Sequence, residues 1–387
     1  MPDDAPFLPF AKPSISPEAI AEVVACLESG WITTGPRSQK FEGMLREFFH
    51  APSAQCCSSA TAGLHMALLT LDLQPGDEVI TTAMTFVATL NTIVLAGSKP
   101  VLVDVDPATG NLDVNQLEEA ITMKTRAIMP VHFAGLPVDL DAVYALAERH
   151  ELRVIEDCAH AIGAEYRGQR LGSFGDTQVF SFHPNKNMTT GEGGVVVTRD
   201  DQMVAAIEKL RFHGIDRSAE NEFGQPGTAR YDIALAGYKF NFMDLQAALG
   251  IHQLPALEGF NTRRCELAER YLHELVDCPA VTIPNFDGVN YPYRHAWHLF
   301  APRLNLDTIG MSRDAVTVAL KTKGIGSGLH YQAPHLSTYY RDEWGFKRGQ
   351  FPGAEDLSDR IISLPLFPDM TNADQDRVIA AVRELID

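Results

Sequence analysis

The chain has 387 residues and no apolar run that approaches the roughly 20 residues of a membrane-spanning helix. Its start lacks the basic residues and the apolar stretch of a signal peptide, and its six cysteines are never spaced as Cys-x-x-Cys. Neither a zinc site nor a secreted disulfide framework is therefore indicated. We expect a protein of the cytoplasm with reduced thiols, without a metal ion and without a membrane partner.

Positive charge is also scarce, since 32 Lys and Arg residues stand against 50 Asp and Glu residues and give a formal net charge of -18. A chain this acidic repels nucleic acid and anionic membranes, so any phosphate it binds must be held by local donors. Hydrophobic residues at 45% and charged residues at 21% are ordinary for a globular protein and exclude intrinsic disorder. At roughly 150 residues per domain, the length predicts two or three domains, or one large domain with a smaller satellite.

Helical patterns alternate with short β-branched runs over residues 61–198. Extended runs are predicted at Glu78–Thr82 and Arg153–Asp157, for example, and an amphipathic helix is predicted at Leu140–Arg149. Strands that are joined by helical crossovers form βαβ units. The sequence therefore predicts an α/β domain with a mostly parallel sheet.

Beyond Asp200 the pattern changes to longer helical stretches, of which Asp244–Leu275 is the clearest. Pro255 is expected to break this helix, because proline lacks a backbone N–H and clashes with the preceding turn. The last hundred residues mix helical and extended patterns and predict a small α+β domain. We expect an N-terminal segment and large domain over residues 1–255, followed by a linking helix and a small C-terminal domain over residues 256–387.

An acid and a lysine each follow a predicted strand. Asp157 lies where an apolar run ends, and Lys186 follows the next run by a few residues. The carboxyl ends of parallel strands meet at the edge of the sheet where ligands bind, so both side chains could reach one crevice. Pyridoxal phosphate requires this pair, a lysine for the Schiff base and a carboxylate that keeps the ring nitrogen protonated. The spacing alone leaves open a solvated lysine and a helix-capping aspartate.

Other residues near the predicted strand ends have two interpretations. Residues 58–63 place hydroxyls and free N–H groups before an apolar helix, where they could hold a phosphate or form an ordinary N-cap. Phe86 could stack on an aromatic cofactor or pack in the core. His160 could contact a ligand or serve only the structure. Neither a Gly-x-Gly-x-x-Gly motif nor a Walker lysine pattern is present.

Taken together, motifs along nearly the whole chain resemble the DegT-type nucleotide-sugar aminotransferases, which have the aspartate-aminotransferase fold. The motifs are Ser-Gly-Trp-Ile-Thr-Thr-Gly-Pro at 29–36, Ser-Ala-Thr-Ala-Gly at 59–63, Gly-Asp-Glu-Val-Ile at 76–80, Glu-Asp-Cys-Ala-His at 156–160, Phe-Ser-Phe-His at 180–183, and Gly-Glu-Gly-Gly at 191–194. The later segments 237–241, 295–300, 320–326 and 364–370 are most similar to one branch. That branch aminates a UDP-4-keto-pentose to UDP-4-amino-4-deoxy-L-arabinose for the modification of lipid A, the lipid part of lipopolysaccharide.

The resemblance implies pyridoxal 5'-phosphate as the cofactor and assigns roles around its ring. Lys186 is implied as the Schiff-base lysine and acid–base group, and Asp157 as the partner of the pyridine nitrogen. Phe86 is implied as the stacking residue and His160 as a ring-side contact. Relatives that dehydrate sugars carry histidine at the position of Lys186, so the lysine favours transamination.

The resemblance also implies residues around the phosphate and the sugar. Ala60, Thr61 and Ser181 would hold the cofactor phosphate of their own subunit. Asn241 would reach the phosphate of the neighbouring subunit's cofactor, because family members are homodimers with shared active sites. His330 would lie near the sugar.

The implied reaction moves the amino group of L-glutamate to a nucleotide-linked 4-keto sugar and releases 2-oxoglutarate. Phe86 departs from the arabinose branch, where a tryptophan is common, so 4-keto-6-deoxyhexoses linked to UDP, GDP or dTDP stay open as acceptors. Two further readings also stay open. A pyridoxal-phosphate lyase or desulfurase would need a mobile cysteine, for which no cysteine here has the setting, and a non-catalytic nucleotide-sugar sensor could share the fold.

Overall fold

A computed structural model of the protein describes residues 6–216 and 231–386. The strands in these ranges are β1 Ser53–Cys57, β2 Glu78–Thr82, β3 Lys99–Val103, β4 Thr125–Met129, β5 Arg153–Asp157, β6 Glu165–Tyr166, β7 Gln169–Arg170, β8 Thr177–Ser181, β9 Gly194–Thr198, β10 Ile215–Asp216, β11 Asp232–Ile233, β12 Val281–Thr282, β13 Tyr293–Arg294 and β14 Arg303–Leu304. The α-helices are α1 Pro17–Glu28, α2 Pro36–Phe49, α3 Ala60–Leu69, α4 Val87–Leu95, α5 Leu117–Ala120, α6 Leu140–Arg149, α7 Asp201–Leu210, α8 Asp244–Leu275, α9 Leu306–Ile309, α10 Arg313–Thr322, α11 Thr338–Trp344, α12 Pro352–Arg360 and α13 Asn372–Arg383. Short 3-10 helices lie at Val114–Gln116, Phe133–Gly135, Pro334–Leu336 and Glu384–Ile386.

Seven strands form the central sheet in the order β1-β9-β8-β5-β4-β2-β3. The pairs from β8 to β3 are parallel, and β9 runs antiparallel to both β1 and β8. The predicted α/β fold with a mostly parallel sheet is confirmed. Because β5 and β8 are parallel neighbours, Asp157 and Ser181 end their strands at the same edge.

Helices cover both faces of the sheet. Strands such as β1, β2, β8 and β9 are buried at every residue, and side chains on both faces can be buried only when both faces are covered. Side chains alternate along a strand, so Val154 of β5 enters the apolar cluster around Phe41 of α2. Its neighbour Ile155 enters the cluster around Leu64 of α3 on the other face. Each fully buried side chain of this size contributes about 1.5–3 kcal/mol, so the two clusters fix the strand ends firmly.

The long helix α8 is continuous through Pro255, so the predicted break is wrong. Proline removes one hydrogen bond from the helix, but Leu254 and Leu257 on either side of it are buried in the apolar cluster around Phe41. This packing outweighs the local preference of one residue for a break. The predicted division after residue 255 falls within this helix and stays a prediction.

The C-terminal residues form an apolar cluster of their own, which runs from Leu267 of α8 to Leu385 and includes Leu8 from the start of the chain. Its last helix begins with a capping box, in which Thr371 Oγ1 accepts a hydrogen bond from the N–H of Asp374 and the Asp374 carboxylate accepts the N–H of Thr371. Among the described helices, none combines the length and the hydropathy that a membrane crossing needs.

Candidate active site

A cavity of about 360 Å³ lies at the edge of the sheet where β5 and β8 end. All of the predicted site residues except Asn241 line it: Ala60, Thr61, Phe86, Asp157, His160, Ser181, Lys186 and His330. These residues come from six separate places in the chain, and the fold brings them to one surface. The predicted crevice shared by a carboxylate and an amine therefore exists in the structure.

Asp157 closes β5 with its carboxylate buried at the base of the cavity. One oxygen accepts the N–H of Ala159 at 3.1 Å, and the other accepts the hydroxyl of Thr89 at 2.8 Å. Burial raises the pKa of the Asp157 carboxyl, and these two donors and the charge of Lys186 oppose that rise. A buried carboxylate of this kind is stabilised when a cation such as a protonated ring nitrogen binds beside it.

Lys186 lies on the loop that follows β8, where its backbone N–H donates to the carbonyl of His183 at 2.9 Å. Burial lowers the pKa of Lys186 to about 8, and the nearby charge of Asp157 opposes that change. The amine is therefore far closer to its neutral, nucleophilic form at physiological pH than a surface lysine is. Its Nζ lies 3.4 Å from Nε2 of His298.

His160 is held between the backbone and a tyrosine. The N–H of Ala134 donates to Nδ1 at 3.3 Å, and Nε2 lies 2.7 Å from the hydroxyl oxygen of Tyr331. Burial lowers the pKa of His160 well below its ordinary value, and the charge of Lys186 adds to this. His160 is therefore a neutral side chain at the place where the sequence predicts a contact with the cofactor ring.

The N-terminus of α3 forms one end of the cavity. Ser59 caps this helix by accepting the N–H of Ala62 at 3.1 Å, which leaves the N–H groups of Ala60 and Thr61 in the first turn without an intrahelical acceptor. Gly194 of β9 allows this approach, since a Cβ there would lie 2.5 Å from the backbone nitrogen of Ala60. Free N–H groups at a helix N-terminus suit a phosphate.

Phe86 and His330 line the open side of the same cavity. Phe86 is 54% exposed, as a residue that stacks on a planar ligand would be and a core residue would not. Nδ1 of His330 lies 2.9 Å from the hydroxyl of Ser363, and burial lowers the pKa of His330 to about 4. His330 therefore presents a neutral ring.

Asn241 lies outside the residues that line this cavity. Its Nδ2 donates to the hydroxyl of Thr34 at 2.8 Å, and its Oδ1 accepts from Nζ of Lys239. Its predicted contact is with a neighbouring subunit's cofactor, so that role stays a prediction.

Three residues of the site escaped the sequence analysis, namely Thr89, His298 and Tyr331. Thr89 lies on α4 one turn after Thr85, and the two hydroxyls are 2.8 Å apart, so a polar stripe on an apolar helix was the available signal. His298 and Tyr331 lie in loops whose sequence carries no periodicity. Only the fold shows that they face Lys186 and His160.

The chemistry of these donors fits pyridoxal 5'-phosphate. N–H groups at the start of α3 suit its phosphate, the Asp157 carboxylate suits its ring nitrogen, and Lys186 suits its aldehyde carbon. Phe86 supplies an exposed ring for stacking. Phosphate donors, carboxylate and amine all border one cavity, as a single bound cofactor requires.

Comparison with known proteins gives a consistent result. Residues 13–383 match the DegT/DnrJ/EryC1/StrS aminotransferase family. The chain is 33% identical to a protein described as a sugar aminotransferase from Streptococcus pneumoniae in its PMP form, with 98% of this chain and 99% of that chain covered and a TM-score of 0.91. A PLP form of the same protein matches at 32% identity, with 98% of each chain covered and a TM-score of 0.89.

Two further solved structures are similar over nearly their full length. One is PseC from Helicobacter pylori, an aminotransferase involved in the biosynthesis of pseudoaminic acid, at 28% identity, with 98% and 99% of the two chains covered and a TM-score of 0.89. The other is the sugar aminotransferase CalS13 from Micromonospora echinospora, at 31% identity, with 97% and 99% covered and a TM-score of 0.85. The chain therefore belongs to the DegT/DnrJ/EryC1/StrS aminotransferase family and is a sugar aminotransferase that depends on pyridoxal 5'-phosphate.

Proposed function

We propose that this enzyme transfers the amino group of L-glutamate to the keto carbon of a nucleotide-linked 4-keto sugar. The observation that carries the proposal is the single cavity in which Lys186 and Asp157 meet Phe86 and His330. Lysine and aspartate are the two groups that transamination needs, and the other two residues border the space that is left for a substrate. The lysine, rather than a histidine, supports amination over dehydration.

Lys186 is proposed as the nucleophile and the proton carrier. When bound, pyridoxal phosphate supplies an aldehyde carbon and an electron-poor ring. The lowered pKa of Lys186 lets its free amine accept a proton from the Cα of glutamate and return it to the other reacting carbon. Asp157 holds a proton on the ring nitrogen, while Ala60, Thr61 and Ser181 hold the phosphate end.

A UDP-4-keto-pentose is the first candidate acceptor, with UDP-4-amino-4-deoxy-L-arabinose as the product and lipid A modification as its use. The similarity of the later segments to that branch supports this choice. The second candidate is a 4-keto-6-deoxyhexose linked to UDP, GDP or dTDP. Phe86 supports it, because phenylalanine is smaller than the tryptophan that is common in the arabinose branch and leaves more space in the cavity for the sugar. His330 is proposed to contact the sugar in either case.

The first experiment follows the visible absorbance of the purified protein with added cofactor, before and after glutamate. The wild type is expected to show a Schiff-base band that glutamate converts to the pyridoxamine form. Lys186→Ala is expected to lack both the band and the response. If the wild type shows no band, or Lys186→Ala keeps the wild-type behaviour, the assignment of Lys186 fails and a non-catalytic sensor becomes the better hypothesis.

A second experiment identifies the sugar. The pyridoxamine form is mixed with a UDP-4-keto-pentose and with 4-keto-6-deoxyhexoses linked to UDP, GDP and dTDP, and recovery of the Schiff-base band is timed. Fastest recovery with the pentose supports the arabinose branch. Replacement of Phe86 by Trp is then expected to increase the preference for the pentose, and fastest recovery with a hexose contradicts the first candidate.

A homodimer with shared active sites is proposed as the working state. Exposed apolar side chains on and after α1 support a partner surface: Ile20, Val24, Leu27, Trp31 and Ile32. Asn241 donates to Thr34, two residues beyond Ile32, so the predicted cross-subunit residue lies beside this surface. Sedimentation of wild type and Val24→Glu tests it, since a dimer should dissociate in the variant, and a monomeric wild type contradicts the proposal.

A further inference from the structure

The hydrogen bonds of His160 fix which of its ring nitrogens carries the hydrogen. The backbone N–H of Ala134 donates to Nδ1 at 3.3 Å, so Nδ1 must present its lone pair. Ala134 lies in the 3-10 helix Phe133–Gly135 with a left-handed φ of 54°. Its carbonyl accepts the N–H of His298 at 2.9 Å, which helps to hold its own N–H in place. Because His160 is neutral, a ring with an accepting Nδ1 has its only hydrogen on Nε2.

This tautomer determines the direction of the next hydrogen bond. Nε2 of His160 lies 2.7 Å from the hydroxyl oxygen of Tyr331, so the histidine donates and the tyrosine accepts. The hydroxyl hydrogen of Tyr331 cannot point back at His160. Burial raises the pKa of Tyr331, so the phenol keeps that hydrogen.

The free hydrogen of Tyr331 has no other acceptor among the residues that the structure describes. Tyr331 lines the cavity, with its ring 5.6 Å from the ring of Phe86 and nearly parallel to that of His160, at an angle of 25°. Tyr331 is partly buried and borders the cavity. A donor that loses its water without gaining an acceptor costs about 1–3 kcal/mol, so a molecule that displaces water from the cavity binds better when it supplies an acceptor to this hydroxyl.

We propose that Tyr331 donates a hydrogen bond into the cavity to an oxygen of a bound molecule, and that His160 orients it. The acceptor is a carbonyl or phenolate oxygen, which either the cofactor ring or the keto group of the sugar can supply. The inference rests on the proposed function for the identity of the sugar only. The direction of the chain from Ala134 through His160 to Tyr331 stands on the protein alone.

The direction can be measured on the apoenzyme. Two-bond ¹H–¹⁵N correlation spectra of ring-labelled histidine, assigned with His160→Gln, are expected to show His160 as the Nε2–H tautomer. A ring with its hydrogen on Nδ1 overturns the proposal. This result does not depend on cofactor or sugar, so it remains decisive if no keto sugar is aminated and the proposed function fails.

The acceptor is identified with Tyr331→Phe, which keeps the ring and removes the hydroxyl. Tyr340→Phe is the matched control, because Tyr340 is a buried tyrosine of the nearby helix α11 whose hydroxyl donates to Asn91 at 2.7 Å. If the cofactor oxygen is the acceptor, Tyr331→Phe shifts the pH at which the visible band titrates. If the keto oxygen is the acceptor, that titration is unchanged and the sugar half-reaction slows about tenfold or more, the value of one lost hydrogen bond.

Two outcomes overturn the proposal in this experiment. Tyr331→Phe could leave both the titration and the sugar half-reaction unchanged, which would show that its hydrogen has no acceptor in the bound molecules. Tyr340→Phe could produce the same changes as Tyr331→Phe, which would show that the effect comes from packing. Tyr340→Phe is expected to match the wild type in both measurements, because neither Tyr340 nor its partner Asn91 lines the cavity.

Discussion

Glu156 and Asp157 are neighbours at the end of β5, yet their carboxylates have different surroundings on opposite faces of the sheet. One oxygen of Glu156 accepts the hydroxyl of Tyr144 at 2.7 Å and Nε2 of Gln178 at 2.8 Å. The other oxygen lies 2.9 Å from Nε2 of His132. Both oxygens of Glu156 therefore have partners within the protein, which indicates that this network serves the fold.

Within residues 6–216 and 231–386, the carboxylate of Asp157 accepts from two protein donors, and it borders a cavity. Beside it, Lys186 has no carboxylate within hydrogen-bonding distance among the described residues, and Nδ1 of His298 is buried without a partner there. The pKa of Asp157 is raised and that of Lys186 is lowered. The functional face therefore differs from the structural face in having polar groups that border a cavity and can still form hydrogen bonds with a ligand. Burial of charged groups alone does not distinguish the two faces.

The Glu156 face shows how residue types can mislead. Ligand atoms of His132, Glu156 and Cys158 lie within 4.8 Å of one another, a set that could bind a metal ion. However, the N–H of Val138 donates to Nδ1 of His132 at 3.1 Å, and the Glu156 oxygens already accept from their neighbours. We interpret the set as a hydrogen-bonded structural network.

Of the changes on the two faces of β5, Lys186→Ala beside Asp157 is expected to have the largest effect. Turnover is expected to fall by about 10⁴-fold or more, because the change removes both the nucleophile and a proton carrier. Steady-state rates with glutamate and keto sugar measure this. Lys99→Ala, at a surface ion pair with Glu78, is the control and should keep wild-type turnover; equal losses in both variants would contradict the assignment.

A smaller loss is expected for Asp157→Asn. The amide keeps the shape but not the charge that holds the ring nitrogen protonated, so turnover should fall by about 10²–10³-fold while cofactor still binds. Single-turnover absorbance with glutamate measures the effect. In the apoenzyme, the same change should lower the pKa of Lys186 further, because the Asp157 charge raises it. Unchanged turnover would remove the proposed role.

On the other face of β5, Glu156→Gln should show the opposite pattern. Its amide nitrogen would face donors in a closed network, so unfolding free energy is expected to fall by about 1–3 kcal/mol. Urea unfolding monitored by fluorescence measures this change. The turnover of the folded fraction should stay near the wild-type value, and a catalytic defect at normal stability would break the distinction between the two faces.

The remaining prediction concerns no loss of turnover but a change in how the unfolding free energy depends on pH. The pKa of Lys186 is about 8 in the folded protein against an ordinary 10.5, so the unfolded chain binds more protons between these values and wild-type stability gains from rising pH there. Lys186→Met should therefore be more stable than the wild-type apoenzyme at pH 7. Urea midpoints of both proteins from pH 7 to 10 should converge, and parallel curves would contradict the prediction.

Much of the fold followed from local patterns. Glu78–Thr82, Leu140–Arg149 and Arg153–Asp157 have the predicted bounds, because alternation and helical periodicity record which side chains face the core. The prediction for Pro255 was wrong, since tertiary packing outweighed a local preference. The order of the motifs also identified the family.

The sequence by itself determined the α/β fold, because the patterns of strands, helices and caps are local in the chain, and the resemblance of its motifs to a known family indicated the cofactor and the reaction class. The tertiary structure alone decided that His298 lies beside Lys186, 112 residues away in sequence, and that Tyr331 lies beside His160, 171 residues away. Contacts at such separations depend on how loops of the C-terminal residues pack over the sheet edge. No periodicity within a loop encodes that packing, so the direction of the hydrogen bonds across the site is a property of the folded protein.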